Sequence, residues 1–159
     1  IQLHLTSALA RNTNEASIGQ FMDLFPLKSN TNFNTYTKDQ ITDIITKKTA
    51  PFFEMSFLTT YIYTMRIQKK PVLREKLDKV IELASLFGFL FQVSDDFTDV
   101  ETDKQKNNVL NYVILFGRDC ALKEFNEKLA RFITKMKHMS MYSKLFQVLL
   151  LNLLNPTHF

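Results

Sequence analysis

The twelve residues from 88 to 99, Gly-Phe-Leu-Phe-Gln-Val-Ser-Asp-Asp-Phe-Thr-Asp, lead an apolar run directly into a group of acids. Upstream of them, apolar residues recur every three or four positions from Leu77 to Phe91, which predicts one long helix over 73–101. Five carboxylates then fall close together at the end of this helix: Asp95, Asp96, Asp99, Glu101 and Asp103. A helix C-terminus carries partial negative charge, so each acid there is unfavourable by roughly 0.5 kcal/mol. Because five acids occur together in spite of this electrostatic cost, the cluster indicates a binding function.

The predicted helix brings three of the acids and one amide to the same side. At about 100° per residue, Asp99 lies about 40° from Asp95. On the same scale Gln92 lies about 60° and Asp96 about 100° from Asp95. Oxygen ligands in successive turns suit Mg²⁺, so Asp95, Asp96 and Asp99 are candidate metal ligands. Gly88, one turn before Gln92, would leave room for a ligand. The alternative interpretation of the acidic cluster is a helix end that contacts only solvent.

Two other segments combine polar residues with apolar neighbours. Lys48 and Thr49 stand just before Pro51, where a lysine and a hydroxyl would hold phosphate oxygens above the aromatic residues that follow. A glycine and two polar groups interrupt an apolar helix around Gly19. The candidate ligand contacts outside the acidic cluster are Lys48, Thr49, Gln20, Asp23 and Lys104. Each has a plainer alternative: Lys48 would belong to a solvated lysine pair, Gln20 and Asp23 to an ordinary helix crossing, and Lys104 to a charged loop.

The composition predicts one all-α domain over residues 1–159. The chain is 45% hydrophobic and has only 3 Gly and 4 Pro, too few turn residues for the many short strands of an all-β protein. Its single cysteine, Cys120, excludes an intramolecular disulfide and a cysteine-based zinc site. The net charge is +4, and the basic residues are scattered along the chain and form no single patch, so we expect no nucleic-acid partner. The longest apolar stretch, 145–154, is too short to cross a bilayer, and we expect a soluble, cytoplasmic protein.

Periodicity and capping residues predict the remaining helices. They are expected over 17–28, from 37 to about 65, and over 109–116, 119–138 and 141–154, with a loop at 29–32. A capping box over 37–40 begins the second of them, and Pro51 should interrupt it. Asp119 and Ser140 are the expected N-caps of the last two helices, and Gly117 should end the helix before them.

Four short motifs occur in an order typical of a known family. Residues 91–99 contain a Phe-Gln pair, two residues, and then Asp-Asp-Phe-Thr-Asp. Gly19-Gln20 with Asp23, Lys48-Thr49-Ala50, and Asn111-Tyr112-Val113 with Gly117 complete the set. Together they resemble the FQxxDDxxD, GQxxD and KT-A motifs of the trans-isoprenyl diphosphate synthases, the polyprenyl synthetase family, and the helix that follows in its geranylgeranyl diphosphate synthase-like members.

The resemblance implies an isoprenoid-synthase helical bundle around a central cavity. The family's other DDxxD motif, upstream of the GQ helix, does not occur in these residues, so the chain resembles the C-terminal half. The implied activity is the Mg²⁺-dependent condensation of an allylic diphosphate with isopentenyl diphosphate to a prenyl diphosphate of geranylgeranyl or farnesyl type, in a homodimer. The implied metal ligands are Asp95, Asp96 and Asp99, catalytic together with Lys48, and the implied substrate contacts are Lys48, Thr49, Gln20, Gln92, Asp23 and Lys104.

Three other functions are compatible with the sequence. A non-catalytic subunit of the same fold would bind a catalytic partner. A terpene cyclase would share the fold, but its metal motif would want Ser or Thr at Asp99 and Glu at Asp103. A helical interaction protein without ligand chemistry would respond to neither Mg²⁺ nor diphosphate.

Overall fold

The computed structural model describes residues 2–24, 37–105 and 110–153, and every element within them is an α-helix. The all-α prediction is confirmed. None of the helices in these ranges is both long and apolar enough to span a bilayer. The helices are α1 (Gln2–Leu24), α2 (Lys38–Ile67), α3 (Arg74–Thr98), α4 (Val100–Gln105), α5 (Tyr112–Phe116), α6 (Arg118–His138) and α7 (Lys144–Leu153).

Helix α1 begins much earlier than position 17, where the sequence predicted its start. Residues 2–16 pack against α2, where Leu5 and Ala8 line a cavity together with Met55 and Leu58. Residues 25–28, which the prediction included, and the loop predicted at 29–32 lie outside the described residues.

Helix α2 starts at the predicted capping box and runs through the proline. The Thr37 side chain accepts a hydrogen bond from Gln40 N at 3.3 Å, and the Gln40 side chain accepts one from Thr37 N at 2.9 Å. The prediction that Pro51 interrupts this helix was wrong. Pro51 is buried inside a helix of 30 residues, where tertiary packing offsets the hydrogen bond that its ring removes.

The acidic cluster lies across a break between two helices. Helix α3 ends at Thr98, and Asp99 is its C-cap, with φ −94°, ψ 4° and its N–H bonded to Asp95 O at 2.9 Å. Helix α4 then begins at Val100, so the single helix predicted over 73–101 was too long. The break spreads the acids over two helices and reduces the repulsion that one continuous helix would impose.

Two capping predictions on the last helices were wrong. Gly117, with φ +81°, ends α5 as predicted and is also the N-cap of α6, so Asp119 falls in the first turn instead. Ser140 has φ +55° and does not cap α7. Ser143 does so, because its Oγ accepts a hydrogen bond from Phe146 N at 3.1 Å.

The core forms around α3, whose Val80, Leu83, Leu90 and Val93 are fully buried. An aromatic cluster extends it: the Phe87 ring lies 4.7 Å from Phe53 on α2 and 5.5 Å from Phe132 on α6, between ring centroids. Burying such a ring stabilises the fold by about 1.5–3 kcal/mol. These contacts hold α3 between α2 and α6 and so fix the place where its acidic end emerges.

Candidate active site

A glycine lets α1 approach the backbone of α2. A Cβ atom on Gly19 would lie 2.6 Å from Lys48 Cα, closer than real Cβ contacts allow. One turn further along α1, Asp23 is within reach of the same lysine, and Lys48 Nζ donates a hydrogen bond to Asp23 Oδ2 at 2.8 Å. Both side chains are half-buried. The structure therefore pairs two of the predicted ligand contacts with each other.

A second glycine brings α3 against the other side of the same turn of α2. A Cβ atom on Gly88 would lie 2.6 Å from Ala50 Cα. This approach places Thr49 next to Gln92, and Thr49 Oγ1 donates to Gln92 Oε1 at 2.9 Å. Gly88 thus makes room for a neighbouring backbone, whereas the sequence suggested that it makes room for a ligand.

The hydrogen-bonded chain continues from Gln92 into the acidic cluster. Gln92 Nε2 donates to Asp96 Oδ1 at 3.0 Å, and Tyr112 N donates to Asp96 Oδ2 at 2.7 Å. Asp96 is only 5% exposed. Burial raises its pKa to about 6, although the hydrogen bonds from Tyr112 and Gln92 oppose the rise.

Both carboxylate oxygens of Asp96 already accept hydrogen bonds from the protein. That Asp96 binds a metal ion together with Asp95 and Asp99 stays a prediction. Its hydrogen bonds also give it a positioning role, in which Asp96 orients the Gln92 amide toward Thr49. The helical angles could not distinguish these roles, because the contact with Tyr112 spans a long sequence separation.

Asp95 and Asp99 lie on the accessible side of the helix end. Asp95 is exposed and Asp99 half-buried. The pKa of Asp95 is raised, first by partial burial and then by the negative charges of Asp99 and Asp103, while Lys48 opposes the rise. These four charges are thus close enough to influence one another. A cation placed among the three acids would relieve their repulsion.

Across the described ranges, no three His, Cys, Asp or Glu side chains are arranged to hold a metal ion by themselves. Mg²⁺ nevertheless needs only one or two carboxylates when waters and phosphate oxygens complete its coordination. Asp95 and Asp99 have the hard oxygen donors for such a shared site. The donor set therefore fits a metal ion that binds together with a phosphorylated ligand.

Asn111 is a buried residue of the site to which the sequence assigned no role. Its Nδ2 donates to Asp96 O at 2.8 Å and to Asp103 Oδ2 at 2.9 Å. Its Oδ1 accepts from Val113 N and Ile114 N at 3.0 Å and so caps α5. The cap could have been recognised as an asparagine before an apolar run, but the bonds to Asp96 and Asp103 are long-range.

Two predicted substrate contacts lie elsewhere. Lys104 is exposed and bonds to Glu101 of its own helix at 2.8 Å. Gln20 is exposed and lines a cavity of about 490 Å³ with Phe21, Leu24 and Phe52. Neither belongs to the hydrogen-bonded chain from Thr49 to Tyr112.

The fold and the site together define a class of all-α protein in which a lysine-threonine pair on one helix meets an acidic helix end on the next. The polyprenyl synthetase family model matches residues 1–111, which include α1 to α4 and Asn111. The chain therefore belongs to the polyprenyl synthetase family. Comparisons with curated proteins and with solved structures gave no match.

Proposed function

We propose that the protein is a prenyltransferase that condenses an allylic diphosphate with isopentenyl diphosphate in the presence of Mg²⁺, forming a short-chain prenyl diphosphate of geranylgeranyl or farnesyl type. One observation supports this proposal most directly. The hydrogen bond of 2.9 Å between Thr49 and Gln92 joins the lysine-threonine segment to the acidic helix end, so that anion-binding and metal-binding groups share one site.

Lys48 and Thr49 are the residues that we assign to the diphosphate. Lys48 Nζ is paired with Asp23, and this pair holds the ammonium group between α1 and the N-terminal half of α2. Diphosphate oxygens carry more charge than one carboxylate and would compete for the same donors. Thr49 donates to Gln92. Its hydroxyl group can also accept a hydrogen bond, or rotate so that it donates to a phosphate oxygen instead.

Asp95 and Asp99 would hold Mg²⁺ against the diphosphate, where the metal ion would neutralise the charge that develops on the departing group. In the condensation the allylic C–O bond breaks and its electron pair leaves with the diphosphate. The double bond of isopentenyl diphosphate forms the new C–C bond, and a proton is lost from the condensed product. The role of Asp96 is to keep Gln92 oriented, through the bond of 3.0 Å between them.

The hydrocarbon chain of the substrate needs a dry, apolar wall, because the allylic cation reacts with water. We assign it to the cavity lined by Gln20, Phe21, Leu24 and Phe52, since Gly19 next to Gln20 contacts the backbone of Lys48. The rings of Phe21 and Phe52 are 63% and 57% exposed. Exposed aromatic side chains of this size favour burial against another protein surface, and we propose that a second copy of the chain supplies it in a homodimer. A cytoplasmic location belongs to the same proposal.

Product formation tests the proposal. The chain is incubated with Mg²⁺, ¹⁴C-labelled isopentenyl diphosphate and geranyl or farnesyl diphosphate, and a longer labelled prenyl diphosphate is expected. Asp95→Asn should lower turnover about 100-fold or more. Asp78→Asn, an exposed acid on the same helix, is the matched control and should leave turnover unchanged. Equal turnover of the two variants would reject the role of Asp95.

The same assay separates the alternative of a non-catalytic subunit. Such a subunit makes no product alone and alters the product yield of a catalytic partner when the two are mixed. Binding is measured independently through the melting temperature. Mg²⁺ with methylenediphosphonate should raise it for the unchanged chain and not for Asp95→Asn.

A further inference from the structure

A second and larger cavity lies at the opposite end of α2 from Lys48. Its volume is about 710 Å³, within the range of about 300–1,000 Å³ that is typical of sites for small molecules. It opens between the C-terminal half of α2, the start of α3 and the segment that joins α6 to α7. The candidate active site contributes none of its lining residues.

The walls of this cavity are mainly apolar, with Ser56, Thr60, Thr64, Gln68 and Ser140 also among the lining residues. Four of the six methionines of the chain line it, together with two phenylalanines: Met65, Met136, Met139, Met141, Phe57 and Phe146. Methionine is flexible and polarisable, and surfaces rich in it accommodate ligands of varied shape. Such walls suit a flexible hydrocarbon chain better than a rigid polar molecule.

The mouth of the cavity is basic. Lys70 and Lys76 line it, and within the described ranges neither makes an ion pair with a carboxylate. The two nearby acids are already occupied: Glu75 is paired with Lys79, and Glu82 with Lys135 and Arg131. A smaller cavity, lined by Lys76, Lys79, Lys135 and His138 among others, adjoins the mouth at Lys76 and Met139. An excess of positive charge therefore stands beside an apolar space.

We propose that this cavity is a binding site for a free, single-chain amphiphilic anion, with the hydrocarbon chain between the methionines and the anionic head at Lys70 and Lys76. The proposal goes beyond the proposed function, since it uses a different surface and needs neither Asp95 nor Lys48. The apolar walls supply affinity through the burial of the chain. The two lysines supply the preference for a charged head, because each can donate a charge-assisted hydrogen bond.

The distribution of methionines allows the site to be located directly. Met22, on α1 between Gly19 and Asp23, reports on the candidate active site. Met55 lines a separate cavity with Leu5 and Leu58. In a sample labelled with ¹³C at the methionine methyl groups, decyl phosphate should shift the signals of the four methionines of the large cavity and leave those of Met22 and Met55 in place.

Variants test the two parts of the site separately. Lys70→Gln combined with Lys76→Gln should weaken decyl phosphate binding about tenfold. Lys69→Gln combined with Lys123→Gln removes the same charge from exposed positions outside the cavity and should not weaken it. Thr64→Phe adds a ring to the cavity wall and should abolish binding, whereas Thr59→Phe, in the separate cavity lined by Met55, should not.

Four results would overturn the proposal. These are methyl shifts confined to Met22, binding of decanol or inorganic phosphate as tight as that of decyl phosphate, no loss of affinity on removing Lys70 and Lys76, or methyl shifts that occur only with vesicles of phosphatidylglycerol. The last would identify a membrane surface as the ligand. A chain inactive in the prenyltransferase assay could still show the predicted shifts, so the two proposals fail independently.

Discussion

The backbone N–H of Tyr112 lies 2.7 Å from Oδ2 of Asp96, so the first residue of α5 donates a hydrogen bond to a carboxylate buried at the end of α3. The other oxygen of Asp96 accepts from Gln92, which in turn accepts from Thr49. Three helices are thereby joined through one acid, and the proposed diphosphate contact on α2 depends on a residue that touches no substrate.

Asp96→Ala should destabilise the protein by about 2–4 kcal/mol, because it leaves the Tyr112 N–H and the Gln92 amide without acceptors in a buried place. Asp96→Asn should cost less. Its Oδ1 can accept from Tyr112, while its amide donates to a Gln92 side chain that has turned over, with the Thr49 hydroxyl as acceptor. Urea unfolding of the two variants measures the difference, and equal stabilities would contradict this account of the network.

Asn111→Ala should cost about 3 kcal/mol, since it removes both the cap of α5 and the donor to Asp96 O and Asp103. Asn111→Ser separates these contributions. Serine is also a good N-cap, so this variant should recover about 1 kcal/mol while the bonds to α3 and α4 stay broken. Chemical denaturation gives both values, and a serine variant no more stable than the alanine variant would show that capping is unimportant here.

Glu82 connects α3 to α6 and makes stability depend on pH. The hydrogen bond from Lys135, 2.7 Å long, lowers the pKa of Glu82, with Arg131 acting in the same direction and burial opposing it. A carboxyl group whose pKa is lower in the folded state stabilises the protein above its unfolded pKa of about 4.3 and loses that contribution as the pH falls through its folded value.

The stability advantage of the unchanged chain over Glu82→Gln should therefore be present at neutral pH and shrink as the pH falls below about 4. Added salt should reduce it at neutral pH, because the group is a third exposed. Unfolding free energies measured across the acid range check this. An advantage that grows on acidification would have the wrong sign.

Gly88→Ala should destabilise the protein by about 1–3 kcal/mol, because the new methyl group meets the backbone of Ala50 at 2.6 Å and the helices must separate. The same change should weaken binding of methylenediphosphonate with Mg²⁺, since Thr49 and Gln92 lie at the same contact. Alanine normally favours a helix over glycine by about 1 kcal/mol. A stabilised variant would therefore mean that the helices are not in close contact here.

The helices with regular apolar faces could be predicted, and so could the beginning of α2, because both depend on residues close together in sequence. The first half of α1 was not predicted, because its side toward α2 includes the polar, buried Asn12 among small apolar residues. The end of α3 at Asp99 was not predicted either, and there the carbonyl of Asp96 accepts a hydrogen bond from the distant Asn111.

The candidate site could be predicted as a set of residues but not as a set of partners. Lys48, Thr49 and Gln92 do meet near the acids, as the motifs suggested. Which of the neighbouring acids Asp95 and Asp96 is buried was not predicted, because Asp96 is held partly by hydrogen bonds from Tyr112 and Asn111, which are distant in sequence. Lys104 bonds to Glu101 on its own helix, and its contact with a substrate stays a prediction.

The two close glycine contacts hold the Lys48–Ala50 segment from opposite sides, Gly19 against Lys48 and Gly88 against Ala50. A shift of this backbone by even an ångström would drive it into one neighbour or open a void beside the other. Any adjustment to a ligand must then come from rotation of the Lys48 and Thr49 side chains on an immobile template. Under the proposed function, substrates of different chain length would bind their head group in the same way. They would differ only in their contacts with the surrounding cavity walls.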